Sequence, residues 1–292
     1  MTSKTVPYFI AAALLAAAGG ANAELTDGSP SSVASDVSTM VQSDPSDAVT
    51  IAQIGASDTS AITQAGDDDT ASVSQAGAGD SSALTQNDNL QIASVSQSGA
   101  ADSSNVTQSG GQNQVTVDQA ADSESSNVTQ AGLLQVVSIT QSGASDISTV
   151  SQADFSQNAV VIQSGKDDVS TVTQTGASEL IAGVSTPTGG FNQASVTQSG
   201  DGDVSTVIQS GTATQLLLAD SATVRQSGRQ DVSWIEQYGT AGDVVVTQTG
   251  DADYSAVLQG GSGNTAMVTQ TAANAGSVIS QSGSGNIAIV RQ

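Results

Sequence analysis

Polar and apolar residues alternate along this chain in bursts of seven, and the bursts recur every eleven residues. Asp102, Ser104, Val106 and Gln108 make one burst, with Ser103, Asn105 and Thr107 between them. A period of two places the first four on one face of a strand and the other three on the opposite face. Ser109-Gly110-Gly111-Gln112 follows, and a glycine two places past the glutamine recurs in most units. Glycine gives the backbone the freedom a tight turn needs. Each unit therefore predicts a seven-residue strand and a four-residue turn.

The glutamine is the fixed mark of the repeat, and a fixed repeat governs every other reading. Gln42, Gln53, Gln64, Gln75, Gln86, Gln97, Gln108, Gln119, Gln130, Gln141, Gln152, Gln163 and Gln174 stand eleven apart without a gap. Gln198 and Gln209 follow after one slip. After a second slip come Gln226, Gln237, Gln248, Gln259, Gln270, Gln281 and Gln292. Four residues before each glutamine the type alternates: Ser38, Val49, Ser60, Ala71, Ser82, Ala93, Ser104, Val115 and onward. The true repeat is thus 22 residues, with an odd strand carrying Ser and an even strand carrying Ala or Val. The predicted fold is all-β: a β-solenoid with two short strands per 22-residue coil, about eleven coils, stacked parallel and in register. Adjacent coils would lie about 4.8 Å apart, giving an axis of roughly 50 Å. Such a stack is held by its neighbours more than by any one coil.

The Ser/Ala phase survives both slips, because Ser170 is followed by Ala194, Ser205, Ala222 and Ser233. The extra residues, near Glu179–Phe191 and Thr212–Ala219, therefore predict two loops on the same edge. A degenerate extra strand over Glu179–Ser185 is the competing reading of the first.

Residues 1–23 depart from the repeat. Lys4, an apolar run from Val6 to Ala18, and Ala21-Asn22-Ala23 fit a signal peptide cleaved between Ala23 and Glu24. Residues 24–35 predict a flexible leader, and 36–292 a single repeat domain. The chain has no Cys and no His, which excludes disulfides, thiolate metal sites and His-based catalysis. Without Lys4, 28 acids face four bases. That charge disfavours nucleic acid and anionic membranes, and no second apolar run offers membrane insertion. No catalytic, cofactor or metal residues are expected. Asp67-Asp68-Asp69, the densest acid run, reads as a solvated turn rather than a hydrolase pair. Trp234, Phe155 and Phe191 fall at outward or turn positions, as scattered surface aromatics.

Gln259-x-Gly261-x-x-Asn264-x-Ala266-x-x-x-Gln270 and Gln281-x-Gly283-x-x-Asn286-x-Ala288-x-x-x-Gln292 resemble the repeat of curlins, the subunits of bacterial curli fibres. The resemblance covers about residues 36–292. It implies a secreted subunit that leaves through a dedicated outer-membrane channel. It also implies polymerisation, helped by a nucleator subunit, into cell-surface amyloid for biofilm and adhesion. The residues point the same way: stacked coils would align the glutamine amides into the ladders of cross-β assemblies, and identical coils without caps can add head to tail. The alternative is a monomeric solenoid adhesin, or one that binds a ligand such as a cation or ice.

The first inward position of the odd strands is an acid in nearly every coil: Asp36, Asp58, Asp80, Asp102, Glu124, Asp146, Asp168, Asp203, Asp231 and Asp253. Even strands mix amides into that place, as at Gln91, Asn113, Gln135, Gln157, Asn192, Asn264 and Asn286. Stacking would hold the carboxylates on the order of 5 Å apart. Raised pKa values, shared cations, or corners turned to water could each relieve the repulsion, and the last is the expectation.

Overall fold

The computed structural model describes residues 14–17, 22–27, 36–176, 191–211 and 219–292, with side chains from residue 36 onward. Every element in it is a β-strand, and the strands form two parallel sheets. Odd strands, from β3 (Val37–Gln42) and β5 (Thr59–Ala65) to β23 (Gly276–Ser284), make one sheet. Even strands, from β4 (Ala48–Gln53) and β6 (Thr70–Gln75) to β24 (Ile287–Arg291), make the other. The repeats thus wind eleven coils, and each sheet gains a twelfth strand from the N-terminal stretch: β1 (Leu14–Ala17) beside β3 and β2 (Asn22–Asp27) beside β4.

Pairing is in register at a shift of one coil. Gln108 lies beside Gln130, and Gln119 beside Gln141. The slips leave this intact. Gln174 of β15 (Val169–Gly176) pairs Gln209 of β17 (Val204–Gly211), and Gln163 of β14 (Asn158–Gln163) pairs Gln198 of β16 (Gln193–Gln198). Both insertions therefore join an odd strand to an even one and leave the same edge. Residues 177–190 and 212–218, including the alternative strand over 179–185, lie outside the described residues.

Between the sheets runs a narrow core. One column is Met40, Ile62, Leu84, Val106, Val128 and their successors; the facing one is Ile51, Val73, Val95, Val117 and theirs. Burying each such side chain contributes about 1.5–3 kcal/mol. The even strands add Val49, Ala71, Ala93 and Val115, while the odd strands place serines at that level. The pattern is the one the alternation predicts, because stacking puts like on like.

The expected cleavage point between Ala23 and Glu24 falls inside β2, where these residues pair with Val49 and Thr50. Residues 24–27 of the expected leader are thus strand, laid along the otherwise open edge of β4. Unpaired backbone groups on such an edge accept any extended segment within reach.

Candidate functional site

Each glutamine sits at the end of its strand with its side chain turned inward, and those from Gln42 to Gln270 are almost wholly buried. Its Nε2 donates to Oε1 of the glutamine one coil on: 2.9 Å for Gln42 to Gln64, 2.9 Å for Gln108 to Gln130, 2.8 Å for Gln174 to Gln209 across the first insertion and 2.9 Å for Gln209 to Gln237 across the second. The even ladder runs likewise from Gln53 to Gln75 at 2.9 Å, and from Gln270 to Gln292 at 3.4 Å. Every bond has the same direction, so each ladder is polar. Gln42 Oε1 has no partner among the described residues, whereas Oε1 of Gln281 accepts from Gln259.

The second Nε2 hydrogen does something the sequence did not suggest. It crosses the coil to the backbone carbonyl opening the strand of the other sheet: Gln75 to Thr59 O at 3.0 Å, Gln108 to Ile92 O at 3.2 Å, Gln281 to Thr265 O at 3.1 Å. A glutamine therefore ties its coil to the next and also pins the two sheets together. A buried amide left unsatisfied at either hydrogen would cost about 1–3 kcal/mol.

The acid column is not turned to water, contrary to the expectation. Asp58, Asp80, Asp146, Asp168, Asp203 and Asp231 are 0% exposed. The reason lies in the turns, which stack directly over them. Gly77, Gly143, Gly165 and Gly200 sit so close to the next turn that a Cβ would fall within 1.5 Å of its carbonyl oxygen. In these turns glycine answers a close approach and not a left-handed backbone; the left-handed residue comes two places later, at Ala101, Ser123 and Ser145. In several turns leading from odd to even strands the glycine itself is left-handed, with φ 94° at Gly110 and 106° at Gly261.

Within the column the aspartates bond along the stack. Oδ1 accepts the backbone N–H of the acid one coil on, at 3.0 Å from Asp58 to Asp36, 3.1 Å from Asp102 to Asp80 and 3.0 Å from Asp203 to Asp168. Oδ2 faces the preceding turn, where Gly99 N–H reaches Asp102 and Gly250 N–H reaches Asp253, both at 3.2 Å. In Asp58, Asp80, Asp146, Asp168, Asp203 and Asp231 no bond of full geometry reaches Oδ2. Loss of hydration is therefore the main influence. Burial raises the pKa of Asp168 to about 7, of Asp203 to about 6 and of Glu124 to about 8, against smaller lowering by backbone N–H groups.

The even column has the same Oδ1 habit: Gln135 N–H bonds Asn113 Oδ1 at 3.1 Å, and Asn286 N–H bonds Asn264 Oδ1 at 3.0 Å. Its second atom meets carbonyls. Asn113 Nδ2 donates to Ser109 O at 2.9 Å and Gly132 O at 3.1 Å; Asn264 Nδ2 donates to Gly260 O and Gly283 O at the same two lengths. Asp47, Asp69 and Asp220 also belong to this column, and counting six back from Gln53, Gln75 and Gln226 would have found them. Each has an orphaned Oδ2, and burial raises Asp69 to about 6. Among the described residues, no three acidic side chains converge closely enough to hold a metal ion.

These features define a two-sheet β-solenoid with continuous amide ladders. The family profile of the curlin associated repeat matches residues 239–271, from the end of β19 (Val232–Thr240) to just past β22 (Thr265–Gln270). The chain is in this respect curlin-like, and the coils outside the matched stretch share its glutamine and core positions. No curated protein matches the chain.

Proposed function

We propose that this chain is a secreted structural subunit, not an enzyme, that assembles head to tail into extracellular curli-like amyloid fibres of a biofilm matrix. The observation that carries this reading is the polarity and constant register of the two ladders. Each coil offers Nε2 donors on one side and Oε1 acceptors on the other, so the surface that receives one coil matches the surface that follows it. With β1 removed by the expected cleavage and residues 24–27 displaced from the edge of β4, a second copy can continue the ladder from Gln281 and Gln292 onto Gln42 and Gln53. Interfaces that repeat head to tail without closing make filaments, and an in-register amide ladder is the interior of cross-β assemblies.

The competing reading, a monomeric ligand-binding solenoid, draws on one feature. Thr63, Thr85, Thr107 and Thr129 stand in an outward row on adjacent odd strands. The rows beside it mix Ala, Asn, Ser and Val.

The test is to refold the segment from Glu24, follow fibre formation with and without preformed seeds, and record fibre diffraction. The expected result is a lag abolished by seeds and a meridional spacing of about 4.8 Å. A chain that stays monomeric and folded under seeding would overturn the reading.

A further inference from the structure

The charge of this protein is unevenly placed. Its 28 acids fall mostly in the buried columns and at the turns. Among the described residues, the outward positions of the odd-strand sheet carry one charged side chain, Glu236. The same face gathers apolar groups toward its C-terminal half. Register places Ile147, Val169, Val204, Val232 and Tyr254 in one continuous outward column. Trp234 stands in the next column beside Val232 and Tyr254, followed along that column by Ala256 and Val278. Trp234 is 49% exposed and Tyr254 44%. Of the aromatics read as scattered, Trp234 therefore has Tyr254 as a neighbour on one flat face, while Phe155 and Phe191 meet each other with ring centroids 6.3 Å apart.

We propose that this face seats the same face of a second copy of the chain, sheet against sheet, with the two solenoid axes parallel. Three observations select that occupant. A chain of formal charge −23 can approach its own copy closely only where few acids are presented, and this face presents one, Glu236. From strand spacing and rise the face measures roughly 1,000 Å², against about 800 Å² per partner in a standard stable interface. Its composition of β-branched, Thr and small residues with almost no charge suits the dry interdigitation of paired sheets. A two-fold along the solenoid axis would bring Trp234 against Trp234, Val204 against Ile208 and Tyr254 against Leu258, and would set the face's one acid, Glu236, against Val232 of the copy.

This pairing is separate from head-to-tail growth, because β21 (Tyr254–Ser262) and β23 lie between Trp234 and the C-terminal coil edge. Trp234 is also the single tryptophan of the chain, so its fluorescence reports the face alone. The experiment measures acrylamide quenching of Trp234 together with sedimentation, over a range of concentrations of the soluble chain and then in fibres. Three proteins are compared: the native chain, Thr206→Asp with Ala256→Asp on the odd sheet, and Thr223→Asp with Met267→Asp on the even sheet. The native and even-sheet proteins should form pairs with Trp234 shielded several-fold, and the odd-sheet variant should stay unpaired with Trp234 open. Trp234 equally open in dilute and associated native protein overturns the proposal, as does pairing lost only in the even-sheet variant. Shielding that appears only when a neutral polysaccharide is added also overturns it and assigns the face to a glycan. Chains that pair but never elongate would refute the fibre reading and leave the pairing standing.

Discussion

The two halves of each coil solve one problem with opposite chemistry. Both open in most coils with an inward polar side chain, and where it is Asp or Asn one oxygen accepts the N–H of the next coil, as at Asp80 and Asn113. They differ in what faces the second atom. Before an odd strand the turn directs N–H groups inward, as Gly99 does toward Asp102, and an acceptor is wanted. Before an even strand the turn directs carbonyls inward, as Ser109 and Gly132 do toward Asn113, and a donor is wanted. The peptide orientation follows the backbone: turns into even strands that open on an amide carry an additional left-handed residue, such as Asp88, Gly110 or Asp154, two places after the glutamine, whereas Gly66 and Gly211, in the turns before Asp69 and Asp220, are not left-handed. Turn geometry thus selects acid or amide, one half-coil at a time.

The largest expected effect concerns the turns themselves. In Gly165→Ala the new Cβ would lie 1.4 Å from Gly200 O, and backbone on backbone cannot yield as a side chain can. A loss of roughly 3 kcal/mol in urea unfolding is expected, at the upper end for overpacking. Gly276→Ala, whose Cβ would meet nothing within 4 Å, should stay within about 0.5 kcal/mol of the parent. Equal losses would mean that stacking of the turns does not explain these glycines.

Exchanging the two chemistries tests the comparison directly. Asn113→Asp removes a donor and sets a carboxylate oxygen against two carbonyls, so a cost of about 1–3 kcal/mol is expected. Asp102→Asn also mismatches one atom, but it removes a buried charge from a repelling column. It should cost less at pH 7, and the difference between the two should shrink near pH 4, where the carboxylates protonate. Urea midpoints of both variants at the two pH values decide it, and similar costs at pH 7 would break the comparison.

Length within the column offers a gain. Asp and Asn carry the coil-to-coil bond, whereas Oε1 of Glu124, Gln91, Gln135 and Gln157 is buried without a partner. Glu124 is one methylene too long, and its carboxyl is the one raised to about 8 by burial. Glu124→Asp should form the missing bond to Asp146 N–H and stabilise the chain by about 1 kcal/mol. The sign of the pH effect follows from the raised values. A carboxyl that holds its proton more tightly when folded favours the fold most below its unfolded pKa, and that contribution is lost as pH rises through the folded value. For Glu124 and Asp168 the window runs from about 4 to about 8. Stability of the native chain should fall across it, and Glu124→Asp should flatten the upper part of the curve. A stability that rises from pH 4 to 8 would refute the burial argument.

Much of this was legible because the repeat is literal. Eleven-residue spacing with a Ser/Ala alternation defines two sheets, their register and their inward columns, and the unbroken phase from Ser170 to Ser233 carried the register across both insertions. What was not legible depends on contacts between turns. An Asp opening a strand ordinarily faces water, and only the stack of glycine turns above Asp168 closes that route. The orientation of turn peptides, which separates Asp102 from Asn113, leaves no mark in the period. The aromatic face was available in principle, since Tyr254 lies 22 residues past Val232 and so beside Trp234.

The smallest expected effect lies one level deeper in the two halves, where odd strands hold Ser and even strands Ala or Val. Ser60, Ser82, Ser148, Ser170, Ser205 and Ser233 have buried hydroxyls without hydrogen-bond partners, while Ser126 donates to Ser104 at 3.2 Å. An unmade bond to a buried hydroxyl costs free energy, and removing that hydroxyl removes the cost along with the atom. The methylene that remains occupies nearly the same space as the alanine of the even strands. Ser148→Ala should therefore be neutral or stabilising, within about 0.5 kcal/mol. Ser126→Ala breaks an existing bond and should cost about 1 kcal/mol. Paired urea titrations resolve the difference in sign. If Ser148→Ala destabilises as much as Ser126→Ala, the hydroxyls bond along their column, and the odd half is a second polar ladder beside the glutamines.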